Sequence, residues 1–214
     1  MKIIAEALLF DNDGTLISSL ESVNRCWTKW AGEYGLTAED FAGVPMHGRP
    51  AAEIIADLLP ADVVPEALAR IEHLEVEDAA GTVALPGTLA LLASLPAERW
   101  AVVTSAARRL AEARLEHSGI RPKNLVSADD ISRGKPDPEP FLLAAARLGV
   151  DPARCVVFED APVGLAAGRA AGMTTVALTT THRAEELAAD VVVPDLSAVS
   201  AQATAEAVEI TVVG

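Results

Sequence analysis

The chain has 214 residues, half of them apolar, which suits a globular protein with a sizeable core and excludes a disordered one. Its formal net charge of −14 would repel nucleic acid and anionic membranes, so neither is an expected partner. Two cysteines, no signal-peptide pattern and no apolar run of the roughly 20 residues that cross a bilayer predict a cytoplasmic protein without a disulfide framework.

Short apolar runs rich in β-branched residues predict strands that are buried on both faces, as in a parallel sheet. In chain order these strands cover residues 3–10, 100–104, 124–127, 155–159, 174–178 and 190–193. Helical patterns alternate with them near residues 87–95, 107–118, 138–148, 162–171 and 183–189. The alternation predicts βαβ units and an α/β fold with a doubly wound, Rossmann-like parallel sheet.

Residues 18–83 interrupt this alternation because they contain helical patterns and no good strand. The predicted helices lie near residues 19–34, 51–59 and 65–79, and residues 82–87 form the predicted return linker. We therefore expect an α/β core of residues 1–17 and 84–214, with a small helical cap of residues 18–83 inserted after the first strand. The Ala-rich tail after about residue 196 has no pattern that places it.

Polar side chains follow several predicted strands, at the edge where a doubly wound sheet binds ligands. They are Asp11, Asp13, Thr104, Ser105, Glu159 and Asp160, joined by Lys135 from the loop GKPDP. Crowded carboxylates raise one another's pKa, and a structure seldom accepts this unless a metal or a reaction uses them. We therefore expect these side chains to converge on one site.

The residue types in this group suit phosphoryl transfer. Acidic oxygens bind Mg²⁺, which also takes phosphate oxygens. One carboxylate can act as a nucleophile and form an aspartyl-phosphate, while a second protonates the leaving oxygen and then activates water. Each motif alone also has an ordinary explanation, such as a turn, a helix N-cap or a loop lysine, so the prediction depends on all of them occurring in order.

Four segments resemble the motifs of haloacid dehalogenase-superfamily phosphatases of the kind that carries a helical cap. They are DNDGTL (11–16), VVTS (102–105), GKPDP (134–138) and VVFEDAPVGLAAGRAAGM (156–173). The resemblance implies that Asp11 is the nucleophile and that Asp13 is the general acid/base. It also implies Mg²⁺ as the cofactor, with the predicted ligands Asp11, Asp13 (through its backbone carbonyl), Asp160 and the adjacent or outer Glu159.

The same resemblance implies a cradle for the phosphoryl group. Ser105 and Lys135 would hold phosphoryl oxygens, and backbone N–H groups around Asn12 to Gly14 and at Ala106 would complete the cradle. One position departs from the family pattern, because Ser18 stands where many relatives carry an acid or amide. That departure leaves the predicted chemistry intact and leaves the contacts of the cap hinge open.

The cap segment VPMHGRPAAEII (44–55) bears on the substrate. His47, Gly48 and Arg49 precede a helix and could supply the cation that the acidic core lacks, since Arg suits phosphate or polyol oxygens. The ordinary alternative is a helix start with a surface Arg and a packed His. Within the family the resemblance is to phosphatases of small sugar and polyol phosphates, where a similar segment occurs in the cap.

Two other functions remain open from the sequence. A sugar phosphomutase of the same family would carry a histidine on the first cap helix, where this chain has Val23, so hydrolysis is favoured. A non-enzymatic binding module would have no use for the intact acid cluster. A dehalogenase is disfavoured because that branch lacks the second acid, Asp13. The sequence identifies neither the particular phosphate ester nor whether the protein is a monomer or a small homo-oligomer.

Overall fold

A six-stranded sheet forms the centre of the computed structural model, which describes residues 1–44, 46 and 49–213. In spatial order its strands are β6 (Leu125–Val126), β5 (Trp100–Val103), β2 (Ala7–Phe10), β7 (Cys155–Glu159), β8 (Thr174–Leu178) and β9 (Val191–Val193). Every neighbouring pair is parallel. Successive residues of β2 are buried in clusters on opposite faces, since Leu8 and Phe10 lie in one core and Ala7 and Leu9 in the other.

The predicted strand at residues 3–10 is wrong as a single strand, because the run divides at Glu6 into β2 and a separate β1 (Lys2–Ala5). The backbone N–H of Glu6 donates to the Arg154 carbonyl at 2.8 Å, and the Glu6 carboxylate pairs with the Arg154 guanidinium at 2.7 Å. These contacts lie where the chain passes from the sheet that contains β1 into the central sheet. Glu6 is the one charged residue in the run IIAEALLF (3–10), and it marks the point of division.

The segment after about residue 196, which the sequence pattern did not place, forms a hairpin that pairs with β1. β10 (Val199–Ala203) pairs antiparallel with β11 (Val208–Val212), and β11 pairs antiparallel with β1. The buried side chains of Val208 and Ile210 belong to the same core as Leu8 and Phe10. The tail therefore covers part of one face of the central sheet.

The region between the first two strands of the central sheet is helical, as predicted. Its helices are α1 (Leu20–Glu33), α2 (Ala51–Leu58) and α3 (Val64–Glu77). They share a core of buried residues, namely Cys26, Trp27, Trp30, Ile54, Ile55, Ala67, Ile71 and Leu74. A short antiparallel ribbon of β3 (Ile17–Ser18) and β4 (Val83–Ala84) joins the two ends of this region. The domain boundaries at residues 18 and 83 stay a prediction.

Helices lie on both faces of the central sheet, so the predicted doubly wound α/β fold is confirmed. α4 (Thr88–Ala93) and α5 (Arg108–His117) pack on the face of Leu8 and Phe10, whereas α6 (Glu139–Leu148) and α7 (Pro162–Ala170) pack on the other. Within the described residues, no helix combines the length and the apolar character needed to span a membrane.

The helix predicted at residues 183–189 is reduced to a single 3-10 turn, Ala184–Glu186. The chain must straighten after it, because the Asp190 carboxylate accepts hydrogen bonds from the backbone N–H and the hydroxyl of Thr175 at 2.8 and 3.0 Å. Those bonds hold the start of β9 beside β8.

The direction of winding reverses at β2. The chain reaches β5 and β6 on one side of β2, and β7, β8 and β9 on the other. At such a reversal the connecting loops leave the sheet in opposite directions and open a crevice at the carboxyl ends of the strands. Asp11, Ser105 and Asp160 follow the three strands that meet there.

Candidate active site

Three carboxylates meet at the carboxyl ends of β2 and β7. Asp11 directly follows β2, Glu159 is the last residue of β7, and Asp160 comes next. Because the two strands are parallel neighbours in register, their ends place these acids side by side. One carboxylate oxygen from each lies within 4.8 Å of the other two, and all three residues are buried. The structure thus brings together three of the predicted site residues.

Lys135 reaches this cluster from the loop between β6 and α6. Its Nζ donates to Asp11 Oδ1 at 2.5 Å, to Glu159 Oε1 at 2.7 Å and to the Val103 carbonyl at 3.1 Å. Lys135 is only 4% exposed, so its ammonium group exchanges its water contacts for these three acceptors. One buried cation therefore faces three buried acids.

Burial and mutual repulsion raise the pKa values of two of the three acids. Burial raises the pKa of Asp160 to about 7, and repulsion from Glu159 adds to the rise. Burial also raises the pKa of Asp11 well above its ordinary value, although Lys135 opposes the rise. Burial alone would lower the pKa of Lys135, but Asp11 and Glu159 outweigh burial and raise it, so the ammonium stays charged.

Glu159 is held through both of its carboxylate oxygens. Oε2 accepts the backbone N–H groups of Asp160 and Ala161 at 2.9 and 2.8 Å, while Oε1 accepts from Lys135. Gly164, in the first turns of α7, leaves the room for this side chain, since a Cβ there would lie 1.7 Å from Oε1. Glu159 therefore fixes Lys135 and the turn that presents Asp160.

Two threonine hydroxyls orient Asp160, and sequence reasoning missed both. Thr15 Oγ1 donates to Asp160 Oδ1 at 3.1 Å, and the Thr181 hydroxyl donates to Oδ2. Gly14 lies against the same carboxylate with φ +89°, and a Cβ there would be 2.3 Å from Oδ2. The Gly-Thr pair after Asp13 was a signal for Thr15, whereas Thr181 stands in a loop without a recognisable motif.

Asp13 has different partners from the three-carboxylate cluster. Its Oδ1 accepts from Arg114 Nη1 at 2.9 Å, and its Oδ2 accepts from Asn12 Nδ2 at 3.2 Å. Arg114 lies on α5, and its Nη2 also donates to Glu75 on α3 at 3.1 Å. Sequence reasoning missed both Arg114 and Glu75, because each lies within an ordinary helical pattern.

The residues of the predicted phosphate cradle lie near the acidic cluster. Ser105 lines the same cavity as Asp11. The backbone N–H of Ala106 donates to Thr104 Oγ1 at 3.1 Å, and the N–H of Gly14 donates to the Ile17 carbonyl at 2.8 Å. These two donors already have partners within the protein. The cradle formed by Asn12, Gly14, Ser105 and Ala106 stays a prediction.

A cavity of about 470 Å³ lies between the acidic cluster and the helical region, which is large enough for a small metabolite. Asp11, Asp13 and Ser105 line its core side, whereas Asn24 and Glu72 are among the polar residues that line its helical side. Both regions of the chain therefore shape one pocket.

Of the three predicted cap residues, the structure describes Arg49. Arg49 lines the cavity, and its guanidinium pairs with Glu53 at 3.4 Å and with Asp57 at 3.0 Å. The predicted substrate contacts His47 and Gly48 lie outside the described residues. A role for Arg49 toward the substrate stays a prediction.

The donor set at the cluster fits a hard divalent cation. Mg²⁺ prefers carboxylate oxygens, and a second positive charge would offset the acids that Lys135 leaves uncompensated. Glu159 is the least available of the three, because its two oxygens accept three N–H donors, one of them the Lys135 ammonium, whereas the donors to Asp160 are the hydroxyls of Thr15 and Thr181.

A family model of haloacid dehalogenase-like hydrolases matches residues 5–172. Hexitol phosphatase A of Escherichia coli (strain K12) is 41% identical over 180 residues, which are 81% of this chain and 82% of the relative. A fructose-1-phosphate phosphatase of the same organism is 38% identical over 180 residues, which are 79% of this chain and 94% of that one.

A solved structure shows the same similarity in three dimensions. The crystal structure of CbbY from Rhodobacter sphaeroides in complex with phosphate is 25% identical to this chain and superposes with a TM-score of 0.78. The match covers 90% of this chain and 95% of the other. The similarity thus includes the helical region as well as the central sheet.

Proposed function

The chain belongs to the haloacid dehalogenase-like hydrolase family and is a phosphoric monoester hydrolase, and we propose that its substrate is a small sugar or polyol phosphate. One observation carries the proposal. The buried Asp11 carboxylate, paired with Lys135 at 2.5 Å, lies in the wall of a metabolite-sized cavity that it shares with a second acid, Asp13. The names of the related phosphatases support the substrate class.

The proposed reaction has two steps, both at Asp11. First, an Asp11 carboxylate oxygen attacks phosphorus, the bond from phosphorus to the ester oxygen breaks, and Asp13 gives its proton to the departing oxygen. Second, Asp13 takes a proton from water as that water attacks phosphorus, which frees inorganic phosphate and restores the Asp11 carboxylate. Lys135 holds Asp11 in place and offsets charge on the phosphoryl oxygens.

Mg²⁺ is the proposed cofactor, held by Asp11 and Asp160 together with the predicted backbone carbonyl of Asp13. When bound, the ion supplies positive charge to the phosphoryl oxygens. Thr15 and Thr181 keep the Asp160 carboxylate oriented toward the site. Glu159 acts indirectly, because it positions Lys135 and the backbone of Asp160 through hydrogen bonds.

We expect Mg²⁺ to raise the melting temperature more at about pH 7.5 than at about pH 5. The pKa of Asp160 is about 7 in the folded protein, above the value of about 3.9 for an unfolded aspartate. The folded state therefore binds this proton more tightly, so the stability of the metal-free protein falls as the pH rises from about 4 to about 7. Metal binding needs the deprotonated form and reverses that loss.

Thermal unfolding with and without MgCl₂ at both pH values measures the effect. At a concentration near 100 times the dissociation constant, Mg²⁺ is expected to raise the melting temperature by about 5 °C at the higher pH. The Asp160→Asn variant serves as the control and is expected to lose this increase. An equal increase in that variant would show that the ion binds elsewhere.

The helical side of the cavity suits a neutral, hydroxyl-rich group. Asn24 and Glu72 offer hydrogen-bond partners to hydroxyl groups, and Arg49 lies at the same wall. The Glu72 carboxylate would repel a second phosphate on the substrate. Val23 also lines this wall, at the position where the resemblance to mutases calls for a histidine. These residues favour hydrolysis of a monophosphate over transfer between positions of a bisphosphate.

A panel of phosphorylated metabolites, scored by released phosphate, tests the function. We expect hexitol phosphates or ketose 1-phosphates to be cleaved with kcat/KM about tenfold or more above sugar bisphosphates, since the acidic wall discriminates by at least ~1.4 kcal/mol. Interconversion of sugar phosphate isomers with a bisphosphate primer would instead indicate a mutase. Failure to cleave any ester at any Mg²⁺ concentration would favour a binding module.

A further inference from the structure

We propose that Arg114 is a positioning residue for Asp13 and that Glu75 anchors it. The acid/base step would then depend on a contact that joins α5 of the core to α3 of the helical region. The inference rests on the proposed function, because it assumes that Asp13 exchanges a proton with the substrate and with water.

Arg114 makes its two contacts with opposite sides of the cavity. Nη1 donates to Asp13 Oδ1 at 2.9 Å, and Nη2 donates to Glu75 Oε1 at 3.1 Å. Arg114 is 3% exposed and Glu75 is 5% exposed, so both charges have given up nearly all contact with water. Since a buried charge is costly unless it is paired, each member of this group holds the others in place.

The shape of the guanidinium explains why an arginine stands here. Its planar fork presents two N–H groups at a fixed angle, so that two carboxylates are held in a defined relation to each other. In the part of the chain that the structure describes, Arg114 Nε has no hydrogen-bond partner. The position of the guanidinium is therefore set by Asp13 and Glu75. A lysine ammonium would reach one carboxylate but would not fix the angle between two.

The arrangement restricts the orientation of the Asp13 carboxylate. A general acid must lie within hydrogen-bond reach of the leaving oxygen, and a misplaced one loses most of its effect. The Asp13 side chain is 27% exposed, more than those of Asp11 and Glu159, so packing alone constrains it less. Arg114 at Oδ1 and Asn12 at Oδ2 limit its rotation.

Substituted phenyl phosphates separate this role from a structural one. A p-nitrophenolate leaves without a proton, whereas an unsubstituted phenolate needs one from Asp13. Because kcat/KM reports the steps through departure of the leaving group, it isolates the use of Asp13 as an acid. We expect Arg114→Lys to lower kcat/KM about tenfold or more for phenyl phosphate but only about threefold or less for p-nitrophenyl phosphate.

Three further variants complete the experiment. Glu75→Gln keeps Arg114 but weakens its anchor, and it is expected to show the same selectivity with smaller losses. Asp13→Asn should show the largest selective loss, because it removes the acid itself. Arg109→Lys, an exposed position on the same helix, is the matched control and should behave as the wild type does.

The outcomes are distinct. Equal losses on both esters in Arg114→Lys and in Glu75→Gln would indicate a merely structural role and overturn the inference. A change confined to KM would indicate contact with the substrate, and a gain in activity would indicate that Arg114 restrains Asp13. Either result overturns it as well. If the wild-type protein cleaves neither these esters nor any member of the panel of phosphorylated metabolites, the proposed function itself fails, which is a different result from the loss of selectivity.

Discussion

Replacement of Asp11 by Asn is expected to abolish phosphate release while the protein stays folded. An amide oxygen is a much weaker nucleophile than a carboxylate, so the phosphoenzyme should not form and kcat should fall by about 10⁴-fold or more. The substitution also removes one of three crowded acids. Its own burial and the repulsion from Glu159 and Asp160 raise the pKa of Asp11 in the folded protein. Because a repulsive charge is lost, we expect the melting temperature of the metal-free variant to equal or exceed that of the wild type.

The measurement pairs a phosphate-release assay with an acid-quenched mass spectrum. Wild-type protein mixed with substrate should carry a phosphoryl group on the peptide that contains Asp11, and the variant should carry none. Asp62→Asn, at an exposed position in the helical region, is the matched control and should keep full activity. Substantial turnover in Asp11→Asn would refute the assignment of the nucleophile.

Replacement of Lys135 by Ala is expected to cost both stability and activity. The substitution leaves Asp11, Glu159 and Asp160 buried without the ammonium that pairs with two of them, and breaking a buried ion pair costs about 3–5 kcal/mol. The loss should be largest near pH 8 and should shrink toward pH 5. Asp11 and Asp160 have raised pKa values in the folded state, so they take up protons as the pH falls and relieve the repulsion.

Chemical denaturation of the metal-free variants at several pH values measures this effect. Lys123→Ala is the matched control, because Lys123 pairs with Glu98 on the surface with 59% of its side chain exposed. Such an exposed pair contributes at most about 1 kcal/mol. If Lys135→Ala were as stable as Lys123→Ala at high pH, Lys135 could not be the charge that makes the cluster tolerable.

The convergence of the acidic residues was predictable because it follows from strand polarity. Asp11, Glu159 and Asp160 each stand at the end of an apolar run, and parallel strands deliver their ends to one edge of the sheet. Lys135 was recognisable from the motif around it, although no periodic pattern locates a loop lysine. The doubly wound fold followed from the same alternation of strands and helices.

Other features depend on contacts between distant parts of the chain, which local patterns do not show. The division at Glu6 requires Arg154, and the terminal hairpin requires β1 as a partner. Arg114 pairs with Asp13 and Glu75 across 101 and 39 positions of the sequence. Its own helix has an unremarkable pattern, so nothing local distinguished this buried arginine from its exposed neighbours.

The ribbon of β3 and β4 has a consequence for how such proteins diversify. Since the chain leaves and re-enters the sheet through two adjacent, hydrogen-bonded strands, the helical region is a module that recombination could exchange while the strand-end residues stay untouched. The bond between Arg114 and Glu75 sets a condition on any such exchange. A transplanted helical region without an acid at that place would bring new selectivity but would leave a buried guanidinium half unpaired.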